Sequence, residues 1–329
     1  MKALVYTGPE AVSYCEQDDP VPQPGEVLVR IDAVGICGSD MHGYLGHDPR
    51  RFPPLILGHE AAGEVVAGPG TGRRAVLNPL ITCGLCDDCQ GGRSNLCRER
   101  KLIGMNRPGA FAELITIPEA NLIPIPADMS AARAALTEPA ATALHAVALA
   151  GRAAYRPLAE ARALVFGGGS VGLLAALLLQ DQGCGELWLA DINRLRRDTA
   201  ARAGPFHVFD PTQEPPADDG FDLVIDAVGA PVTRAMAINA VRAGGIIMHI
   251  GLADGSGEMD VRRMTLAEVT FVGTYTYTPV DLRAAVSKLY SGALGELTWI
   301  EQRALADGAD AFDDLLRGQS AAAKIILKP

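Results

Sequence analysis

The first third of the chain consists of short apolar stretches separated by glycine and proline. Residues 27–31 and 61–66 are apolar or alternate with polar positions, and residues 114–126 are extended but contain three prolines. Such short runs predict β-strands joined by long loops. Residues 130–151 are instead rich in alanine and favour a helix. Pro139 must interrupt or begin a helix there, because proline lacks the N–H donor that a helix interior needs.

From residue 163 onward, apolar strands alternate with helical segments. The predicted helices are residues 170–182 and 193–204, and the predicted strands are residues 163–166, 187–190, 221–226, 246–250 and 269–272. This alternation predicts an α/β fold, with a doubly wound parallel sheet that carries helices on both faces. The tail beyond residue 282 returns to a helix, a loop and a last strand at residues 324–327.

Length, charge and hydropathy exclude several classes of protein. At about 150 residues per domain, the 329 residues suggest about two domains. The formal charge of −10 argues against a nucleic-acid partner, which needs a basic face. The longest apolar run, residues 171–179, is far below the ~20 residues of a membrane span. The apolar stretch at residues 1–6 is too short for a signal peptide. A cytoplasmic protein without membrane contact is therefore expected.

Residues 167–172 fit the pattern G-x-G-x-x-G between a predicted strand and a predicted helix. The first glycine permits a tight turn, the second a close approach to a pyrophosphate, and the third close helix–strand packing. The helix N-terminus then offers oriented N–H groups to the phosphates. The expected phosphate contacts are Gly167, Gly169, Ser170, Val171 and Gly172. A glycine-rich turn without a ligand is the alternative.

Asp191 follows this turn by about 20 residues, where a carboxylate meets the adenine ribose in such folds. Its charge would repel a ribose 2′-phosphate, so NAD is favoured as the cofactor. Arg194, Arg196 and Arg197 lie close enough in sequence to clamp that phosphate, which leaves NADP as the minority alternative. Further cofactor contacts are expected from Arg196, Val228, Gly251 and Thr274.

Four of the seven cysteines are crowded into one loop. They are Cys83, Cys86, Cys89 and Cys97. Four thiolates suit a closed, tetrahedral zinc site of the structural type. Disulfides are disfavoured in a reducing compartment. An iron–sulfur cluster would need a redox role that the rest of the chain does not suggest.

A second set of possible metal ligands is dispersed along the chain. It contains a cysteine in a glycine-flanked turn, an imidazole beside a carboxylate, and a carboxylate before a proline: Cys37, His59, Glu60 and Glu138. Taken singly each signal is weak, since His59 is alternatively an ordinary histidine and Glu138 a helix-start carboxylate. Together they form a mixed set with an open position, as a catalytic zinc requires.

The motifs GICGSD-x-H, GHE, C-x2-C-x2-C-x7-C, TEPA and GGGSVG occur in this order along the chain. In these motifs the sequence resembles the zinc-containing medium-chain dehydrogenase/reductase superfamily, close to its polyol and threonine dehydrogenase branch. The resemblance covers nearly the whole chain. It implies a GroES-like catalytic domain at residues 1–135 and 279–329 and a Rossmann NAD-binding domain at residues 136–278. It also implies a homo-oligomer, a tetramer rather than a dimer.

By this resemblance, the dispersed set would hold a catalytic zinc and the cysteine loop a structural zinc, about two ions per chain. The expected ligands of the catalytic zinc are Cys37, His59 and either Glu138 or Glu60. Two departures from the family's pattern are visible. Residues 68–75 form a shorter loop than is usual, and Thr276 stands where polyol-type members often carry an arginine that contacts substrate.

The expected activity is hydride transfer between a secondary alcohol, such as a diol or polyol, and NAD. Zinc acts as a Lewis acid, and the nicotinamide takes the hydride. By the same resemblance, Ser39, the nicotinamide ribose and His42 would carry the proton out of the cleft, and Thr142 would contact the nicotinamide. Ser39 and Thr142 are alternatively plain turn and helix residues. The alternative functions are a simple alcohol dehydrogenase, the zinc-free quinone reductase branch and a non-catalytic NAD- and zinc-binding protein.

Overall fold

The computed structural model describes residues 1–329. Its first part consists mainly of short strands, as the punctuated apolar pattern predicts. In chain order the elements are β1 (Lys2–Gly8), β2 (Ala11–Glu16), β3 (Glu26–Gly35), α1 (Gly38–Tyr44), β4 (Leu55–Ile56), β5 (Glu60–Ala67), β6 (Arg74–Leu77), β7 (Leu80–Ile81), α2 (Asp87–Gln90), β8 (Lys101–Leu102), β9 (Leu114–Pro118), β10 (Leu122–Pro124) and α3 (Ala131–Ala135). A short 3-10 turn separates β9 from β10, so the extended stretch at residues 114–126 forms two strands.

The second part alternates strands with helices. Its elements are α4 (Thr137–Ala153), β11 (Arg162–Phe166), α5 (Ser170–Asp181), β12 (Glu186–Ala190), α6 (Arg194–Ala203), β13 (His207–Phe209), β14 (Phe221–Asp226), α7 (Pro231–Ala240), β15 (Val241–His249), α8 (Val261–Leu266), β16 (Thr270–Gly273), α9 (Pro279–Tyr290), β17 (Ile300–Ala304), α10 (Gly308–Leu316) and β18 (Lys324–Lys328). No helix combines the length and the hydropathy needed to cross a membrane.

Strands β11 to β16 form a parallel sheet in the order β13-β12-β11-β14-β15-β16. The order reverses between β11 and β14, and the crevice at such a reversal is where dinucleotides bind in these sheets. The predicted doubly wound parallel sheet is confirmed. Only β13 lacks a counterpart among the predicted strands.

The largest sheet of the first part also contains the last strands of the chain, in the order β10-β6-β5-β3-β18-β17. In the pairing of β3 with β5, Gly35 lies opposite Glu60. In the pairing of β3 with β18, Gly35 lies opposite Ile326. This register brings the end of β3 together with the first residues of β5 and β18.

One apolar core extends under both large sheets and the helices between them. Its largest cluster includes Ala62 of β5, Leu136 before α4 and Val165 of β11. Pro139 lies in the first turn of α4, where its missing N–H removes no helical hydrogen bond. Pro139 therefore begins a helix and does not interrupt one. Helix α9, which follows the predicted domain boundary, packs against α4.

Candidate active site

The end of β3 and the start of α1 fix the first candidate metal ligand, Cys37. The Cys37 N–H donates to the carboxylate of Asp40 at 3.0 Å, which caps α1. Two residues earlier, a Cβ at Gly35 would overlap the Glu60 carboxylate and lie 3.2 Å from Cδ of Lys324. Glycine at this position lets two charged side chains approach the backbone beside Cys37.

Cys37, His59 and Glu60 form one cluster, in which the ligand atoms all lie within 4.8 Å of one another. Nδ1 of His59 lies 3.3 Å from Oδ1 of Asp40. Burial would raise the pKa of Asp40, but the charges of His59 and Arg51 outweigh it and lower that pKa. A carboxylate behind the imidazole is the arrangement that orients metal-binding histidines. The donor set fits a zinc site with an open position.

Lys324 belongs to this site, although the sequence analysis did not identify it. Its Nζ donates to both carboxylate oxygens of Glu60, at 2.7 and 2.6 Å, and to the carbonyl of Ile36 at 2.8 Å. The side chain is 1% exposed. Burial opposes its charge, but Glu60 and Cys37 raise the pKa of Lys324. The ion pair fixes the Glu60 carboxylate beside Cys37, and no local motif announces it because 264 positions separate the partners.

Glu138, the other candidate carboxylate, is the second residue of α4 and lies outside the cluster around Cys37. Burial raises the pKa of Glu138 to about 7, with the charge of His59 opposing and that of Glu60 adding to the effect. The Thr142 hydroxyl donates to the Glu138 carbonyl at 3.3 Å. Glu138 therefore faces the cluster electrostatically, while Glu60 is the carboxylate at ligand distance.

Several buried hydroxyl groups near Glu138 and in the loop at residues 274–277 lack a hydrogen-bond partner. They belong to Thr137, Thr274, Thr276 and Tyr277. Burial and the Glu138 carboxylate raise the pKa of Tyr277 well above its usual value, so its hydroxyl keeps its proton. Because folded proteins satisfy nearly all buried polar groups, orphaned hydroxyls in one region indicate a place for a polar ligand.

The predicted relay residues are only partly brought together. Oγ of Ser39 lies 3.4 Å from Nε2 of His59. His42 lies one turn further along α1 and has no hydrogen bond with Ser39. Burial, followed by the charges of His47 and Arg51, lowers the pKa of His42. A proton would need a further group between Ser39 and His42.

The glycine turn between β11 and α5 has the backbone that the motif predicts. Gly167 has a φ of 100°, in the left-handed region that favours glycine. A Cβ at Gly172 would overlap the carbonyl of Gly167, so α5 can approach β11 this closely only with glycine there. Gly169 caps α5, and Ser170 and Val171 form its first turn. The N–H groups of such a first turn lack helical partners and suit a phosphate.

Asp191 lies at the end of β12, beside the glycine turn. Its two carboxylate oxygens each accept one backbone N–H at 2.7 Å. A carboxylate offers about four acceptor positions, so positions remain for ribose hydroxyls. Arg197 donates to the carbonyl of Asp191 and pairs with Asp210 at 2.9 Å. The Arg196 N–H contributes to the cap of α6, and its side chain makes no ion pair.

Val228, Gly251 and Thr274 follow three neighbouring strands, β14, β15 and β16. A Cβ at Gly167 would lie 2.9 Å from Cγ2 of Val228, and one at Gly251 would overlap the Val228 backbone. The Thr274 N–H donates to the carbonyl of His249 at 2.9 Å. These predicted contacts therefore lie with the glycine turn at the carboxyl edge of the parallel sheet.

The four loop cysteines converge, with all sulfur atoms within 4.8 Å of one another. Sγ of Cys97 lies 3.6 Å from Sγ of Cys83, and Sγ of Cys89 lies 3.9 Å from it. These distances are far beyond the ~2.05 Å of a disulfide. The backbone N–H groups of Leu85 and Cys86 lower the pKa of Cys83 to about 6. A thiolate-rich tetrad of this kind fits a structural zinc.

Comparison with known proteins joins these sites. Residues 23–127 match the family profile described as "Alcohol dehydrogenase GroES-like domain", and residues 170–291 match "Zinc-binding dehydrogenase". An L-threonine 3-dehydrogenase of Rhizobium etli is 33% identical over 97% of this chain and 96% of its own. An L-galactonate-5-dehydrogenase of Escherichia coli is 32% identical over 91% of this chain and 89% of its own. The chain belongs to the zinc-dependent medium-chain dehydrogenases.

A solved structure supports the same membership. It is that of a zinc-binding dehydrogenase of Sinorhizobium meliloti bound to NADP, which superposes on this dehydrogenase with a TM-score of 0.87. The two chains are 30% identical, and the match covers 100% of this chain and 99% of the other. The predicted superfamily, the GroES-like and Rossmann architecture and the class of NAD(P)-dependent alcohol or polyol oxidoreductase are confirmed.

The cysteine loop of this dehydrogenase is tied to the loop at residues 274–277. Nδ2 of the buried Asn95 donates to the carbonyl of Tyr275 at 2.8 Å. The Arg100 guanidinium lies 4.7 Å above the Tyr275 ring. Thr276 follows with a φ of 49°, which few non-glycine residues adopt. The sequence analysis identified neither Asn95 nor Arg100, because their partner lies about half the chain away.

Proposed function

We propose that this dehydrogenase transfers hydride between NAD and a secondary alcohol that carries a second polar group, such as a diol, a polyol or a related hydroxy compound. The observation that carries the proposal is the open cluster of Cys37, His59 and Glu60, in a chain whose glycine turn forms a nucleotide site. Zinc bound there would act as a Lewis acid on the substrate oxygen, and NAD would accept the hydride.

The residues around this cluster have distinct proposed tasks. The zinc ligands are Cys37, His59 and one of the carboxylates Glu60 and Glu138, and the four loop cysteines hold a second, structural zinc. Ser39 and His42 lead the hydroxyl proton away, and Thr142 contacts the nicotinamide. Metal analysis that finds about two zinc ions per chain supports this proposal, while one or none favours a non-catalytic or zinc-free protein.

NAD is the proposed cofactor in preference to NADP. The support is the Asp191 carboxylate at the end of β12, whose charge would repel a 2′-phosphate. Arg197 is engaged by Asp210 and by backbone carbonyls, which leaves it poorly placed to clamp that phosphate. Since one structural relative binds NADP, kinetics with both cofactors decide the point.

The proposed substrate class rests on polarity. Two carboxylates and the orphaned hydroxyls of Thr276 and Tyr277 make the cleft more polar than a simple alcohol requires. The two curated relatives are named for threonine and galactonate, both hydroxy compounds with further polar groups. Thr276, in place of the arginine of polyol-type members, argues against the tightest polyol recognition.

A substrate panel tests the proposed function. We expect 2,3-butanediol, sorbitol, galactitol or threonine to exceed ethanol, butanol and hexanol in kcat/KM by at least ~10-fold, about 1.4 kcal/mol of transition-state discrimination. If the n-alcohols match or exceed the whole polar set, the protein is a simple alcohol dehydrogenase.

We further propose a catalytic domain of residues 1–135 and 279–329, with residues 136–278 as the nucleotide domain. The shared sheet of β3, β5, β17 and β18 supports the first, and the parallel sheet supports the second. A cytoplasmic homo-oligomer, a tetramer rather than a dimer, is proposed from the family resemblance. The cysteines, which are all free, fit a reducing compartment.

A further inference from the structure

Arg51 is a buried charge next to the candidate catalytic cluster. Its side chain is 0% exposed. Its guanidinium donates to Oδ2 of Asp48 at 2.6 Å and to the carbonyl of Gly104 at 3.1 Å. A Cβ at Gly43 would overlap Cδ of Arg51, so α1 carries glycine where the arginine crosses it. Burying a charge is costly unless it is paired and hydrogen-bonded, and these contacts meet that requirement.

The remaining nitrogen of this guanidinium faces the predicted proton relay. Nη2 of Arg51 lies 3.4 Å from Oγ of Ser39 and 4.0 Å from Oδ1 of Asp40. A guanidinium can only donate, so the Ser39 oxygen must accept this hydrogen bond. A hydroxyl has two acceptor positions and one donor hydrogen. Arg51 therefore leaves Ser39 with one acceptor position and one donor, the minimum for passing a proton in one direction.

Arg50 provides a natural comparison, because it shares Asp48 with Arg51. Its guanidinium bonds both oxygens of Asp48, at 2.8 and 3.0 Å, and its side chain is 61% exposed. It makes no contact with Ser39. Two adjacent arginines thus satisfy the same carboxylate, and only Arg51 also reaches the serine.

We propose that Arg51 is a positioning residue, which orients the Ser39 hydroxyl for proton transfer during alcohol oxidation. The inference rests on the proposed dehydrogenase function. As hydride leaves the substrate carbon for NAD, the substrate hydroxyl proton passes to the free acceptor position of Ser39. Ser39 gives its own proton onward towards the solvent. Arg51 keeps its charge throughout and binds neither substrate nor cofactor.

Arg51→Lys is the first test, since lysine keeps the charge beside Asp48 but cannot also reach Ser39. We expect kcat to fall about 10-fold, because misplaced relay groups lose part of the 10²–10⁴-fold contribution of proton transfer. The KM of the diol and the Kd of NADH should stay unchanged. The solvent deuterium isotope effect on kcat should rise and the substrate deuterium effect should fall, because proton transfer becomes limiting. Arg50→Lys should match the wild type in every measurement.

Gly43→Ala is the second test, since its methyl group displaces the Arg51 side chain without removing a charge. It should reproduce the loss of kcat and the change in isotope effects even if Arg51→Lys folds poorly. In a Ser39→Ala background, Arg51→Lys should add no further loss, because the arginine acts through the serine.

Three results would overturn the inference. They are unchanged kcat and isotope effects in both Arg51→Lys and Gly43→Ala, an equal loss in Arg50→Lys, or full additivity with Ser39→Ala. The wild type is assayed first with the alcohol panel. A wild type that oxidises none of these alcohols overturns the proposed function together with this inference, whereas an active wild type with unaffected variants overturns this inference alone.

Discussion

Cys37 is half-buried at the start of α1, and its neighbours Gly35 and Asp40 fix the turn through the backbone. Serine is close to cysteine in size and fits the same turn, but its hydroxyl does not supply the thiolate that zinc binds. We expect Cys37→Ser to abolish turnover while melting temperature and NADH binding stay nearly unchanged. Near-normal activity with zinc still at this site would remove the proposed role of Cys37.

Lys324 and Glu60 form a buried ion pair, in which each charge depends on the other. Lys324→Met leaves the Glu60 carboxylate without its cation, and breaking such a pair costs about 3–5 kcal/mol. Urea unfolding should show this loss, and Lys324→Met combined with Glu60→Gln should recover much of it. Lys328→Met, on the exposed end of the same strand, is the control. An equal effect at Lys328 would contradict the argument.

Sequence motifs identify the residues whose neighbours are local, such as Cys37 beside Asp40, and His59 beside Glu60. Lys324 and Arg51 escape such analysis for a physical reason. Lys324 reaches Glu60 only because Ile326 pairs with Gly35 across two strands from opposite ends of the chain. A lysine in the last strand gives no local sign that it is buried.

The cysteine loop at residues 83–97 illustrates the scale of a single element. Its short helix α2 has no buried residue, so the loop lacks an apolar core of its own. A closed metal site then contributes the folding energy. We expect Cys89→Ser to lower the melting temperature and remove about one zinc per chain, with a smaller effect on the chemistry. Cys15→Ser, at a cysteine outside both clusters, is the control. Unchanged melting and zinc content in Cys89→Ser would contradict this assignment.

The end of β12 presents Asp191 to the proposed nucleotide site. Asp191→Ala removes a charged hydrogen-bond acceptor, which costs roughly 1–3 kcal/mol of NAD binding. We expect a weaker NAD affinity and a relaxed discrimination against NADP, measured as the ratio of kcat/KM values. Asp198→Ala, further along α6, should leave that ratio unchanged. A wild type that already prefers NADP would show that the neighbouring arginines prevail.

Longer elements with a regular pattern were predictable, and the shortest were not. Residues 221–226 match β14, and the helix predicted at residues 170–182 matches α5 within one residue. β13 spans only His207–Phe209, too few residues to show a period, and it is defined by pairing with β12. Helix α9 was placed correctly, yet its packing against α4 depends on tertiary contacts that its sequence does not specify.

At the scale of the whole molecule, contacts between the two sheets decide how the cleft is built. A continuous apolar core joins them, and small alanines of α3 and α4 allow their close approach. The polar contact from Asn95 to Tyr275 links the cysteine loop to the loop after β16. The parts that bear the proposed structural zinc and the proposed substrate hydroxyls are therefore mechanically connected.

This connection yields a prediction about affinity. Asn95→Leu keeps the side-chain volume but removes the amide that holds the Tyr275 carbonyl, a hydrogen bond of about 1–1.5 kcal/mol. We expect the KM of the diol to rise about 10-fold, as 1.4 kcal/mol implies. The value of kcat, the Kd of NADH and the zinc content should change little, because Asn95 touches none of the proposed ligands.

Arg98→Met is the matched control, since Arg98 is an exposed arginine of the same segment with no hydrogen bond or ion pair. If Asn95→Leu lowered the melting temperature and the zinc content without changing KM, the contact would serve only the stability of the cysteine loop. A rise in KM at constant zinc content would instead assign the loop a part in substrate binding. The distinction is physical, because the same hydrogen bond has one end in the cysteine loop and the other beside the orphaned hydroxyls of Thr274 and Thr276.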